Sequence, residues 1–223
     1  EFSAAAIRQP IELATEFGVI ETTPEDPRRI AAFREKPSDP VPLADNPREV
    51  LASMGNYVAT REALVEAVTA DAANPDSKHD MGGDIVPWFV ERGTAAVYDF
   101  KDNDVAGSTD RDRDYWRDVG TIDSFFEANK DLISVTPVFN VYNDRWPLFT
   151  GYTGLPPAKF VHGGPDRMGY AADSMVSPGV IVSGATVSGS VLSPGIYLHS
   201  WSSVSDSVLM DGVRIGRDAV VRR

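Results

Sequence analysis

The 223 residues include no cysteine. That excludes disulfides, thiol nucleophiles and Cys-ligated zinc or iron–sulfur centres, and it fits a cytoplasmic protein. Histidine is scarce too, with only three. His162 and His199 stand at no recognisable ligand spacing. No apolar run approaches the ~20 residues that a membrane span needs. The opening Glu1-Phe2-Ser3-Ala4-Ala5-Ala6-Ile7-Arg8 lacks the basic start and long apolar middle of a signal peptide. Basic residues are outnumbered, 21 against 33, for a net charge of -12. A nucleic-acid surface needs clustered Lys and Arg, so neither nucleic acid nor a membrane is expected as a partner. A phosphate ligand is still allowed, because one well-placed cation can serve it. There is no initiator Met, and the chain stops at Val220-Val221-Arg222-Arg223 inside a repeating pattern. A fragment is therefore expected.

What is present reads as a folded α/β chain. Apolar residues make up 42% and charged residues 24%, the ordinary balance of a globular protein. Phe17–Glu21 and Arg29–Glu35 read as two strands. The turn signal Pro24-Glu25-Asp26-Pro27 lies between them, so they should form a hairpin. Ser53–Ala59 and Ala95–Phe100 read as further strands. Thr60 is placed to cap a helix from Arg61 to Ala70. A second helix is expected from Asp84 to Arg92 with Gly93 as its stop, and a third from Ile122 to Leu132 after a Thr121 cap. Residues 1–135 thus form one α/β layered unit. Residues 136–172, rich in Pro and Gly, read as an extended connector.

Residues 173–223 carry an internal repeat. Met175–Val182, Val191–Leu198 and Val208–Ile215 resemble one another, and Gly179, Gly195 and Gly212 recur at steps of 16 and 17 residues. Single apolar residues, Val187, Val204 and Val220, sit between the units. Three short strands per unit suit a parallel β-helix with triangular coils, which must stack to bury its apolar face.

Four short motifs carry possible chemistry. Phe33-Arg34-Glu35-Lys36-Pro37 sets an acid beside a base at a strand end. Alone it is ordinarily a surface charge pair. Otherwise the ammonium holds a phosphate and the carboxylate a sugar hydroxyl. Tyr115-Trp116-Arg117-Asp118-Val119-Gly120-Thr121 offers Asp118 either as a helix-flanking cap or as a Mg²⁺ ligand. Leu51-Ala52-Ser53-Met54-Gly55-Asn56-Tyr57-Val58 is either a closely packed strand or one presenting the Ser53 hydroxyl. Gly18 lies inside a strand, where glycine permits close approach of another segment or a ligand.

Together and in this order, the motifs resemble the sugar-phosphate half of nucleotide-sugar pyrophosphorylases. Longer matches make the chain similar to the bacterial glucose-1-phosphate adenylyltransferase branch. These are Leu51–Gly55, His79-Asp80-Met81-Gly82-Gly83-Asp84-Ile85-Val86-Pro87, Tyr115–Thr121, Arg145-Trp146-Pro147 and Leu155–Val161. The resemblance implies the C-terminal half of a Rossmann-like nucleotidyltransferase domain, followed by the start of a left-handed parallel β-helix of hexapeptide repeats. It implies ATP and glucose 1-phosphate as substrates, Mg²⁺ as cofactor, glycogen (α-glucan) biosynthesis as the setting, and a cytoplasmic homotetramer under allosteric control by metabolites. Carried over, it implies that Gly18, Glu35, Lys36 and Ser53 bind glucose 1-phosphate, that Lys36 and Asp118 serve catalysis, and that Asp118 binds the metal. His79 and Asp80 receive no catalytic role.

One departure is large. The family's Gly-rich nucleotide loop, its following Arg-Leu and Lys-Pro elements, and an upstream metal-sharing Asp are absent from these residues. The fragment alone is expected to be inactive. Three rival readings stand beside this one. A pyrophosphorylase for another nucleotide sugar would share these motifs. A regulatory subunit without catalysis would not need both Lys36 and Asp118. A hexapeptide acyltransferase would need a coil-edge His, for which only His199 is available.

Overall fold

The computed structural model describes residues 1–149, 151 and 154–223. They form two compact units, Glu1–Asp104 and Val105–Arg223.

The first unit is built on a five-stranded sheet. Its strands are β1 (Phe2–Pro10), β2 (Gly18–Thr22), β3 (Ile30–Glu35), β4 (Glu49–Ala59) and β5 (Ala95–Asp99), in the order β3-β2-β4-β1-β5. The β2–β3 hairpin forms as its turn signal predicts. β1 was not foreseen. Its run of three alanines carries weak strand propensity, yet it sits between β4 and β5, antiparallel to one and parallel to the other. Packing explains the alanines. Ala4 and Ala6 are fully buried in a cluster with Ala63, Ala67, Val86 and Phe89, so small β1 side chains let two helices approach the sheet. Those helices are α1 (Arg61–Ala72) and α2 (Val86–Glu91). Phe89 is wholly buried, with its ring 4.6 Å from that of Phe2.

The sheet curls until its far ends meet. Arg29 bridges Ala96, and the Val97 N–H donates to Arg28 O at 2.7 Å.

Two helix boundaries differ from expectation. Thr60 precedes α1 as predicted, but its side chain makes no capping hydrogen bond. The second helix begins earlier and wider, as a π-turn over Met81–Ile85 capped by Asp80. Pro87 lacks the N–H that would bond back to Gly83 in a regular helix, and the Val86 N–H bonds to Met81 O, one residue further back than a regular helix would place its acceptor. Gly93 ends α2 with a positive φ of 67°, as its sequence position predicts.

In the second unit, α3 (Ile122–Leu132) starts where predicted. Thr121 and Ser124 form a reciprocal capping box. The repeat then winds into coils whose strands stack in parallel. β6 (Lys159–Val161), β9 (Ile181–Ser183), β12 (Tyr197–Leu198) and β15 (Arg214–Ile215) form one face. β7 (Tyr170–Ala172), β10 (Thr186–Ser188), β13 (Ser203–Ser205) and β16 (Val220–Arg222) form a second. β8 (Met175–Val176), β11 (Val191–Leu192) and β14 (Val208–Leu209) form the third. Pairing runs Met175 to Val191 to Val208, so each coil advances by the repeat read from the sequence. Val180, Val182, Val187, Leu192, Ile196 and Leu198 fill the interior at 0% exposure.

A serine ladder marks one corner of the coils. Ser190 Oγ donates to Ser188 O at 2.8 Å and accepts from the Ser207 N–H at 3.1 Å. The Ser190 N–H in turn donates to Ser174 Oγ.

The stretch 136–172 is not all connector. β6 and β7 lie inside it and are the first rungs of two coil faces. Its prolines and glycines hid strands only three residues long. Residues 150, 152 and 153 of that stretch lie outside the described residues. The 162–169 loop is pinned by Arg167, which donates to Ser200 Oγ and Ser183 Oγ at 2.8 and 2.6 Å. α3 is tied to the coils by Lys130, which donates to Gly189 O at 2.7 Å and pairs with Asp206 at 3.0 Å.

Candidate active site

Antiparallel pairing decides which predicted residues meet. Gly18 of β2 pairs with Glu35 of β3. On the other side of β2, Val19 pairs with Ala52 and Ile20 with Leu51, so one step further brings Ser53 of β4 beside Gly18. Ser53 also pairs with Ala6 of β1. Glu35, Gly18 and Ser53 therefore lie in one row across three adjacent strands. Directly opposite residues in a sheet share a face.

Gly18 is needed where it stands. A Cβ there would come 2.5 Å from Phe33 Cζ and 3.0 Å from Glu35 Oε2. Only a residue without a side chain lets the Phe33 ring and the Glu35 carboxylate come this close to the β2 backbone.

Lys36 leaves the strand pattern. Successive strand residues point to opposite faces, which would separate Lys36 from Glu35. Instead Lys36 adopts a left-handed φ of 47°, and its N–H donates to Phe17 O at 3.0 Å. The turn brings Lys36 Nζ to 4.0 Å from Glu35 Oε1, with both side chains more than half exposed. A non-glycine residue held there costs roughly 1–3 kcal/mol and persists only where its surroundings hold it. The outcome is an ammonium and a carboxylate on solvent-open ground beside Gly18.

Ser53 has a partner that sequence reasoning missed. Its Oγ lies 3.3 Å from the Tyr57 hydroxyl and accepts from the Gly55 N–H at 3.3 Å. Pairing slips between Ala4 and Ala6, and Gly55 has a φ of 72°. This is a bulge in β4, and a glycine inside a strand was its legible mark.

A cleft of about 810 Å³ elsewhere in this unit contains none of the predicted site residues. Four of the charged side chains along it, Arg8, Asp45, Asp99 and Lys101, engage one another. Arg8 makes a fork onto Asp45 at 2.9 and 3.1 Å and reaches Asp99 at 3.0 Å, and Lys101 lies within 3.7 Å of both acids. Burial opposes the Arg8 charge, but the bonds to Asp45 and Asp99 outweigh it and its pKa is raised. The same fork holds the Asp45 carboxyl below its usual range.

The model of the family described as "Nucleotidyl transferase" matches residues 1–135. The chain belongs to the nucleotidyl transferase family. A second family model, "GlmU-like, C-terminal hexapeptide", matches residues 156–223 of this nucleotidyl transferase. Among curated relatives, the glucose-1-phosphate adenylyltransferase of Bifidobacterium longum (strain DJO10A) is 57% identical over 99% of this chain and 53% of its own length. That of Leifsonia xyli subsp. xyli is 59% identical over 99% and 53%. That of Arthrobacter sp. (strain FB24) is 58% identical over 99% and 48%. The chain spans about half the length of the curated relatives it matches.

Asp118 belongs to the second unit of this nucleotidyl transferase. It is exposed and lies just before α3. Its Oδ1 accepts from the Gly120 N–H at 3.1 Å, and a Cβ at Gly120 would come 3.1 Å from Oδ2. Asp118 is thus a turn-closing acid that still presents carboxylate oxygen to solvent. No group of three or more His, Cys, Asp or Glu among the described residues is placed to hold a metal ion. A single carboxylate still fits Mg²⁺, which commonly takes one or two from protein and fills its other positions with phosphate and water.

The histidines have structural partners. His79 pairs with Asp71, not with its neighbour Asp80. His162 Nδ1 accepts from the Gly169 N–H, closing the 162–169 loop, and the His199 ring lies 4.4 Å from that of Tyr197. No helix of the described residues is long and apolar enough to cross a membrane.

Proposed function

We propose that this chain supplies the sugar-phosphate half of the active site of a glucose-1-phosphate adenylyltransferase. The reaction joins ATP and glucose 1-phosphate into ADP-glucose and pyrophosphate, for glycogen (α-glucan) synthesis. The observation that carries the reading is the row Glu35–Gly18–Ser53, with Lys36 turned out of its strand to stand beside Glu35.

Each residue then has a task. Gly18 contacts the sugar through its backbone. The Glu35 carboxylate accepts from sugar hydroxyls, and Ser53 adds a hydroxyl contact. The Lys36 ammonium holds the phosphate of glucose 1-phosphate. One oxygen of that phosphate forms the new bond to the α-phosphorus of ATP while the bond to pyrophosphate breaks. The nucleophile is already anionic and needs no strong general base, so positioning and charge neutralisation dominate. Mg²⁺ held by Asp118 and the substrate phosphates would offset the repulsion between the two anions. The homotetramer and the allosteric metabolite control implied by resemblance belong to the same proposal.

The test is pyrophosphate release by the full-length protein from glucose 1-phosphate with each of ATP, UTP, GTP and dTTP. Preference for ATP is the expected outcome. Preference for another nucleotide would retain the sugar-phosphate subsite and overturn the product. No turnover with any would bring forward a regulatory subunit.

A further inference from the structure

The His79–Asp80–Met81–Gly82–Gly83 segment takes no part in the mechanism above, yet its geometry leads to the row that does. Asp71, at the end of α1 and only 12% exposed, accepts two bonds. One comes from Ser77 Oγ at 2.5 Å, the other from His79 Nδ1 at 2.8 Å. The His79 N–H closes the ring by donating to Ser77 Oγ at 2.9 Å. A carboxylate only accepts, so Nδ1 carries the imidazole proton. The bond from Ser77, and after it that from His79, holds the Asp71 carboxyl below its usual range. His79 itself stands at a left-handed φ of 58°, a conformation a non-glycine residue keeps only when its neighbours over-determine it.

The next residues transmit that placement. Asp80 Oδ1 accepts from the Gly83 N–H at 2.6 Å, and the Asp80 N–H donates to Asp84 Oδ2 at 2.9 Å. A Cβ on Gly82 would come 3.3 Å from Phe33 Cε1 and 3.4 Å from Asp80 Oδ1. Phe33 is the same ring that stands 2.5 Å from the Cβ position of Gly18. A continuous packed path runs from the His79–Asp71 pair, through the 80–83 turn and Phe33, to Gly18 and Glu35.

We propose that His79, held by Asp71, is a positioning residue that fixes the 80–83 turn against Phe33 and so sets where that ring lies against Gly18 in the sugar-phosphate subsite. The inference rests on the reading of that subsite given under Proposed function.

His79→Ala and His79→Asn in the full-length protein provide the test. Asn places a side-chain N–H donor near the Nδ1 position and tolerates a left-handed φ better than most residues. Alanine does neither. The Kd for glucose 1-phosphate, measured by calorimetry, should weaken about tenfold in His79→Ala, equivalent to roughly 1.4 kcal/mol. Steady-state assays should show the same rise in KM for glucose 1-phosphate, with KM for ATP within about twofold of wild type. His79→Asn should recover most of the affinity. Unchanged sugar-phosphate affinity in His79→Ala, an equal rise in both KM values, or no recovery in His79→Asn would overturn the positioning role alone. A wild-type protein that binds no glucose 1-phosphate would overturn the subsite reading, and this inference with it.

Discussion

Gly18 and Glu35 face each other across β2 and β3, and Glu35 Oε2 stands 3.0 Å from the point where a Gly18 side chain would begin. Phe33 Cζ is closer still, at 2.5 Å. The ring is partly buried against the core that holds α2, so it has little room to retreat. Both the need for glycine and the shape of the subsite follow from this approach.

Gly18→Ala should therefore disturb fold and binding together. Forcing a methyl into a packed site costs roughly 1–3 kcal/mol. KM for glucose 1-phosphate should rise by more than KM for ATP. Thermal melts and paired KM determinations check this, and an alanine variant with unaltered Tm and KM would show that Phe33 yields freely.

Lys36 and Asp118 should separate kinetically. Lys36 is more than half exposed and pairs with Glu35 at 4.0 Å. An exposed pair of this kind contributes about 0–1 kcal/mol to stability. Lys36→Ala should leave the melt almost unchanged and mainly raise KM for glucose 1-phosphate. Asp118→Asn keeps the acceptor that closes the turn at Gly120 but removes a charge. It should mainly lower kcat and raise the Mg²⁺ concentration needed for half-maximal rate. The reverse pattern would overturn both assignments.

The parts of this arrangement that could be read from sequence are those with local signals. The hairpin carries a Pro-Glu-Asp-Pro turn, α3 carries a Thr121 cap, and the coils repeat their Gly and apolar positions. β1 was hidden because its residues answer to neighbours far along the chain. Ala4 and Ala6 are small for the sake of α1 and α2, not for strand propensity. The coil strands β6 and β7 were hidden by their shortness among Pro and Gly. For the site, the residue types were legible and their row was not. Gly18, Glu35 and Ser53 meet only through long-range register, and Lys36 joins them through a positive φ that no local motif announces.

Ser190→Ala should weaken the coil stack. Ser190 is fully buried, and its hydroxyl both donates to Ser188 O and accepts from the Ser207 N–H. Alanine leaves the buried Ser207 N–H without its acceptor, at a cost of about 1–3 kcal/mol, while Ser188 O keeps the Asp206 N–H at 3.1 Å. Hydrogen exchange should show faster exchange at the Ser207 amide, with amides in the first unit unaffected. Equal exchange at Ser207 in both proteins would mean that water replaces the hydroxyl.

Asp45 should make the protein sensitive to acid in a definite direction. The Arg8 fork is the leading cause that lowers its pKa below the unfolded value of about 3.9. A depressed folded pKa means that the folded state binds the proton less readily than the unfolded state. Its contribution is therefore fully present above about pH 4 to 5 and is lost as pH falls through the folded value. Asp45→Asn cannot ionise, so Tm should fall less steeply below pH 4 in the variant than in wild type. The two proteins should differ most near neutral pH, where only wild type keeps the charged fork. Melts from pH 3 to pH 7 test this. Parallel Tm profiles for the two proteins would show that solvent already screens the fork and that Asp45 takes no part in the acid response.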